Sequence, residues 1–211
     1  MQDTKFVITI GRQFGSGARK VGRIIADRLG IAFYDNELLM EAAKESGLNV
    51  EFFQKNDEVS PSIFRNVLMF NYGLNIQSVL PFNTSSLSDE SLYNAQTLAI
   101  EVAAEKSSCV IIGRTADYIL RHHPHCYNIF LYSSLEHRVK HLIERGECST
   151  ESEAETLALK KNRLRESYYN FYTDKRWGVA ESYDLCLNVT RMTDEEVADM
   201  VIEYVMLHLK K

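Results

Sequence analysis

The sequence predicts a three-layer α/β/α fold built on a five-stranded parallel sheet. Three observations carry this. Five short runs are continuously apolar rather than alternating, which marks strands buried on both faces. Segments of helical periodicity separate them, so the order strand–helix repeats about five times, and right-handed crossovers then make the strands parallel. A glycine-rich turn joins the first strand to the first helix.

The elements follow in order. Residues 6–10 form a β-branched run read as a buried strand. After the glycine turn, Val21, Ile24, Ile25 and Leu29 share one helix face, and Gly30 suits the C-terminal cap. Residues 31–34 are a second strand, and Asp35 can cap a helix running to about Glu45. The stretch 47–88 is less regular, with a turn at Ser60-Pro61 and a loop over 81–86. Ser88 then caps a helix carrying Leu92, Ala95, Ala99, Val102 and Ala103 on one face. Strand 109–112 ends at Gly113-Arg114, and strand 128–132 leads into a capping box of Ser133 and Glu136. The helix behind that box carries Leu135, Val139 and Leu142 inward. A second box, Thr150 and Glu153, opens a helix through the basic segment Lys160 to Arg165. Strand 184–188 is the last, and Thr193 with Glu196 caps a final helix turning Val197, Met200, Val201, Tyr204 and Val205 inward.

The bulk numbers bound the function. At 211 residues the chain supports one core, so 1–211 is read as a single domain. Apolar residues make up 45% and charged residues 25%, and only three prolines argue against long linkers. A net charge of −5 argues against a nucleic-acid polymer as partner. Cys109, Cys126, Cys148 and Cys186 show no C-x-x-C spacing, so neither a disulfide framework nor a zinc site is expected. Cys109 and Cys186 read as buried small residues. The start of the chain has no signal-peptide pattern and no apolar run reaches spanning length, so the cytoplasm is the expected compartment and no membrane partner is expected.

The turn at residues 11–20 is where a phosphate would bind, because backbone N–H groups and the helix start both favour an anion there. A Walker A loop reads G-x-x-x-x-G-K-[ST]. Gly17 holds the glycine before the lysine, Arg12 the first glycine position and Ala18 the lysine position, and Lys20 is read at the place of the hydroxyl. The pattern fails as a motif yet keeps its Gly15-Ser16-Gly17 turn between strand and helix. Tight helix–strand packing would need the same turn. The cations Arg12, Arg19 and Lys20 beside it favour an anion site over solvated surface charge.

The stretch Ile-Thr-Ile-Gly-Arg-Gln-Phe-Gly-Ser-Gly at 8–17, Gly22, and Phe-Tyr-Asp at 33–35 resemble the cytidylate kinase-like family. The resemblance continues over Val110 to Leu120 and resumes over Asn162 to Asn188, including Tyr168-Tyr169, Trp177-Gly178 and Tyr183-Asp184. It implies a P-loop kinase fold with an acceptor-binding insertion near 36–88 and a lid near 146–180. It also implies transfer of the ATP γ-phosphoryl group to CMP or dCMP with Mg²⁺, with the nucleotide as partner and a homo-oligomer as an open option. The chain departs from bacterial cytidylate kinases at Ala18, at Asn36, Glu37 and Glu41 after the matching Asp35, and at Asn162, where the family's lid carries an aspartate.

Residue by residue, the backbone of Gly15, Ser16, Gly17, Ala18 and Arg19 supplies a candidate cradle, and Lys20 or Arg12 a substitute for the lysine's charge. Arg114 matches an arginine that holds the acceptor phosphate, and Asp117, three residues on, can orient it. Asn162 and Arg165 share a helix face, Arg165 matches a lid arginine facing the moving phosphoryl group, and Arg138 is a second catalytic candidate. Asp35 can orient the acceptor or a cation as well as cap its helix. Lys160, Lys161 and Arg163 read as a solvated face. Tyr168, Tyr169, Phe171, Tyr172 and Trp177 read as hinge packing or a subunit contact rather than a base stack. His122, His123 and His125 read as surface residues, and no metal-ligating cluster is expected. The function expected is an ATP-dependent nucleoside-monophosphate kinase. The alternatives are a non-catalytic nucleotide-binding module on the same scaffold, or a kinase for another small acceptor.

Overall fold

The computed structural model describes residues 4–35, 38, 89–113 and 115–209. The expected helix after Asp35, beyond Leu38, the acceptor insertion over 36–88 and Arg114 lie outside the described residues.

Five parallel strands form one sheet: β1 (Val7–Arg12), β2 (Ala32–Tyr34), β3 (Cys109–Ile112), β4 (Cys126–Tyr132) and β5 (Leu185–Asn188), in the order β2-β3-β1-β4-β5. Both faces of the central strands are buried, as their unbroken apolar runs require. Ile8, Ile10, Val110, Ile112, Ile129 and Leu131 face one core, while Val7, Cys109 and Ile111 face the other. The first core is covered by α1 (Ala18–Leu29) through Val21, Ile25 and Ala26, and by α6 (Asp194–Leu209) through Val197, Ala198, Val201 and Val205. The second is covered by α2 (Asp89–Lys106), through Ala99, Ile100 and Ala103, and by the short α3 (Ala116–Ile119). The three layers are therefore those the sequence predicts.

Outside the layers lie α4 (Leu135–Glu144) and α5 (Glu151–Tyr172), which pack together around Leu142, Ala154 and Ala158 with Phe14 against them. Gly22 explains how closely α1 sits on the sheet: a Cβ there would stand 2.6 Å from Ile112 Cδ1 and 3.1 Å from the Phe33 ring.

Local signals hold with four adjustments. Gly30 caps α1 in the left-handed region, and the capping boxes at Thr150/Glu153 and Thr193/Glu196 both form. The cap of α4 is Ser134 rather than Ser133, because Ser134 Oγ accepts from His137 N–H at 3.2 Å, while the Ser133 N–H donates to Gln13 Oε1. In α6 Met200 is 45% exposed and Ala198 takes the inward place, since the buried stripe leads one residue away from it. β1 runs on through Gly11 and Arg12, and β4 starts two residues early at Cys126, because their ladders pair through those residues. Cys109 is buried as expected, but Cys186 is only partly so, on the edge strand.

Candidate active site

Residues 13–17 connect β1 to α1 at the carboxyl ends of the strands, where open α/β sheets bind ligands. Gly15 and Gly17 have φ of 87° and 81°, which side chains resist. Space also demands Gly15, since a Cβ there would meet the Arg138 Cβ at 3.0 Å and its carbonyl oxygen at 3.1 Å.

The loop is tied on every side. Gln13 N–H donates to Leu131 O, Phe14 N–H donates to Asn162 Oδ1 at 2.8 Å, and Ser16 Oγ donates to Gln13 O. Arg165 Nη1 donates to Arg12 O at 3.2 Å, and His141 Nδ1 lies 2.9 Å from Gly15 O. The carbonyls of Arg12, Gln13 and Gly15 are thus engaged. Among the described residues, the amides of Gly15, Gly17 and Ala18 have no hydrogen-bond partner. Three such donors at the start of α1, reinforced by the helix dipole, form an anion cradle.

The loop borders a cavity of about 220 Å³ whose polar lining includes Arg12, Arg19, Arg145, Arg165, Asp35 and Glu147. Arg19 pairs with Asp35 at 2.6 Å and Arg145 with Glu147 at 2.9 Å. Lys161 and Arg165 both lie over the Phe14 ring, at 5.9 and 5.1 Å from its centre. Lys161 is buried, so it is not part of a solvated face. Behind Gly15, Arg138 is buried: its Nε donates to Ser133 O, its Nη1 has no partner among the described residues, and burial lowers its pKa.

A second cavity of about 360 Å³ lies on the other side of Ser16, lined by Lys20, His137, His141, Met192, Asp194 and Glu195. Lys20 Nζ pairs with Asp194 Oδ2 at 2.8 Å, a hydrogen bond that raises its pKa, and it does not line the first cavity. Burial, then the neighbouring His141, lowers the His137 pKa.

The structure therefore gathers Arg12, Gly15, Ser16, Gly17, Ala18, Arg19, Asp35 and Arg165 around one cavity, with Asn162 and Arg138 touching the loop from behind. The placement of Lys20 differs from expectation. The hydroxyl position directly after Ala18 is Arg19, and Lys20 lies one residue further along α1. Asp117 is buried and engages Tyr169, whose hydroxyl donates to Asp117 Oδ2 at 2.5 Å, and Lys175 at 3.9 Å. Burial raises the pKa of both Asp117 and Tyr169. Asp35 does cap the following backbone, accepting from Leu38 N–H at 3.2 Å.

Of the aromatic set, Tyr168, Tyr169, Tyr172 and Trp177 pack against neighbouring elements, while Phe171 is 67% exposed. Tyr168 donates to Gln96, Tyr172 stacks on Tyr93 at 4.0 Å, and Trp177 meets Phe130 edge-on at 5.3 Å. Sequence reasoning missed Gln13, His141, Arg145 and Glu147. Gln13 lies inside the loop motif and was open to notice; the others carry no signal before α4 is folded against the loop. No cluster of three metal-ligating side chains occurs among the described residues. No described helix is long and apolar enough to cross a membrane.

The fold and the loop define a P-loop kinase scaffold. A gluconokinase from Sinorhizobium meliloti shares it at a TM-score of 0.56 and 14% identity, over 95% of this chain and 91% of that one. The model of the cytidylate kinase-like family matches residues 7–191, and the chain belongs to that family. It is 26% identical over 206 residues to a cytidylate kinase of Pyrococcus horikoshii, covering 95% of this chain and 88% of the relative. It is also similar to the crystal structure of an uncharacterized protein from Eubacterium ventriosum, with a TM-score of 0.69 and 26% identity over 95% of this chain and 98% of that one.

Proposed function

We propose that the protein is an ATP-dependent kinase that transfers the γ-phosphoryl group to a nucleoside monophosphate, with CMP or dCMP as acceptor. The observation that carries this is the cradle of Gly15, Gly17 and Ala18 amides, unpartnered among the described residues, beside a cavity lined by Arg12, Arg19, Arg145 and Arg165. Phosphoryl transfer asks mainly for positioning and for charge stabilisation of the equatorial oxygens, and this lining supplies donors of both kinds. Family membership and the similarity to a cytidylate kinase support the acceptor class.

In this reading the cradle holds the donor phosphates. Arg165 faces the transferred group from the lid side, and Arg138 adds buried positive charge behind Gly15. Asp35, Arg114 and Asp117 belong to the acceptor side, Asp117 through its anchorage of Tyr169. Asn162 acts by holding the Phe14 amide. Among the described residues the carboxylates lining the cavity, Asp35 and Glu147, each have an arginine partner, and Arg19 replaces the usual hydroxyl. That set fits a Mg²⁺ ion bound chiefly through nucleotide phosphates, which it would neutralise, with Asp35 as its protein contact.

The test is a coupled assay with ATP and Mg²⁺ across the nucleoside monophosphates. Turnover with CMP or dCMP is the expected result, and none with any monophosphate would overturn the reading. Calorimetry with ATP then separates a binding module, which Ala18 in the lysine position would suit, from a protein that does not bind nucleotides.

A further inference from the structure

We infer that Arg12 supplies the positive charge that the loop lacks at Ala18, and that Gly113 is the seat that admits its guanidinium. The inference rests on the kinase reading of the first cavity and specifies which side chain does the lysine's work there.

The cations around the loop differ in how they are engaged. Arg19 is held by Asp35, Arg145 by Glu147, and Arg165 by the Arg12 carbonyl. Lys20 is paired with Asp194 and faces the second cavity. Arg12 also lines the first cavity, yet among the described residues no acidic group or hydrogen-bond acceptor engages its guanidinium. A half-buried arginine that no described residue compensates, at the mouth of an anion cradle, is a charge available to an incoming phosphate.

Its position is fixed by the backbone around it. Arg12 is the last residue of β1, and Gly113 directly follows β3, the neighbouring strand. Gly113 has φ of 72°, and a Cβ built there would coincide with Arg12 Nη1 and stand 2.9 Å from Cζ. The guanidinium thus rests on bare backbone between the carboxyl ends of two central strands. A Walker lysine reaches the phosphates from the first turn of the helix, whereas Arg12 reaches the same cavity from the strand that precedes the loop. Its planar fork also suits two phosphate oxygens at once.

The experiment compares Arg12→Ala, Gly113→Ala, Lys20→Ala and the pair Arg12→Ala with Ala18→Lys in the full chain. The readouts are turnover with ATP and calorimetric binding of ATP and AMP, with thermal unfolding as the check on folding. Arg12→Ala is expected to lower kcat by roughly 10²–10³-fold, the range for removing one preorganised donor. It should weaken ATP at least tenfold while AMP binding changes little. Gly113→Ala should move both quantities in the same direction, Lys20→Ala should have at least tenfold less effect, and Ala18→Lys should recover part of the loss. ATP binding and turnover that survive Arg12→Ala, or a larger loss in Lys20→Ala, would overturn the assignment and leave the kinase reading standing. Arg12-dependent ATP binding without transfer to any monophosphate would do the reverse. A wild-type chain that binds no ATP would overturn both.

Discussion

The bond from Phe14 N–H to Asn162 Oδ1 joins the loop to α5, and Asn162→Ala tests whether it preorganises the cradle or only steadies the fold. The donor–acceptor distance is 2.8 Å and both residues are half-buried. Leaving a buried donor unpaired costs about 1–3 kcal/mol, and partial access of water to Phe14 puts this case at the lower end, near 1 kcal/mol. In a chain of this size that lowers the thermal midpoint by about 2–4 °C. If the cost falls on the binding-competent loop, it also raises the Kd for ATP with Mg²⁺ by about fivefold. Asn162→Asp keeps an oxygen opposite the Phe14 amide and should restore the midpoint. Calorimetric titration and thermal unfolding of the three proteins read both quantities. A lower midpoint with unchanged ATP affinity would refute the preorganisation argument, and no change in either would show that the bond contributes nothing in solution.

Three further outcomes follow from other parts of the molecule. Phe130 is 2% exposed and packs on Trp177 and Tyr183, so Phe130→Ala should cost about 3–5 kcal/mol, with a red shift in the emission of the sole tryptophan; an unshifted spectrum would contradict the packing. Gly22→Ala forces a methyl against Ile112 and Phe33 and should cost about 1–3 kcal/mol in chemical unfolding, whereas an exposed helix glycine would gain from the same change. Burial raises the Asp117 pKa, so the native state keeps this proton longer than the unfolded chain and stability falls as pH rises from the ordinary carboxylate value, about 3.9, through the folded value. Asp117→Asn removes that slope; its midpoint should gain on the wild type as pH rises from about 4 and then run parallel, and parallel curves throughout would refute the burial argument.

The sheet and its two helical layers were legible because each element's signal is local. Continuous apolar runs such as Val110-Ile111-Ile112 can only be buried on both faces, and Thr150 with Glu153 fixes a helix start within four residues. Met200 was misplaced and Ala198 overlooked because hydropathy favours the larger side chain, whereas the buried stripe of α6 runs through Val197, Ala198, Val201 and Val205. The contacts that shape the site were not legible in the same way. Lys161 reads as one more charge in a basic run until α5 is laid against the loop and the Phe14 ring lies beneath it. His141 carries no sequence signal for its contact with the Gly15 carbonyl, 126 residues away. Asp117 carries no sequence signal for Tyr169 and Lys175, which the fold brings to it from 52 and 58 residues further along the chain.

The departures from the bacterial cytidylate kinase pattern look like separate losses in the sequence and become related in the structure. Ala18 removes a positive charge from the helix side of the loop, and Asn162 in place of the lid aspartate removes a negative one from the α5 side, so the formal charge around the cradle is unchanged by the pair. Asn162 still accepts from the Phe14 amide, which an aspartate would also do, but it brings no carboxylate to compete for Arg165 three residues on. Arg165 donates to the Arg12 carbonyl and lies over the Phe14 ring, and among the described residues Arg12 keeps its guanidinium over Gly113 without an acidic partner. A lid aspartate would draw the nearest arginine into an ion pair, and with Ala18 in the lysine position the loop could least spare that charge. The neutral residue at 162 is therefore the consistent companion of a loop whose positive charge comes from the strand rather than from the helix.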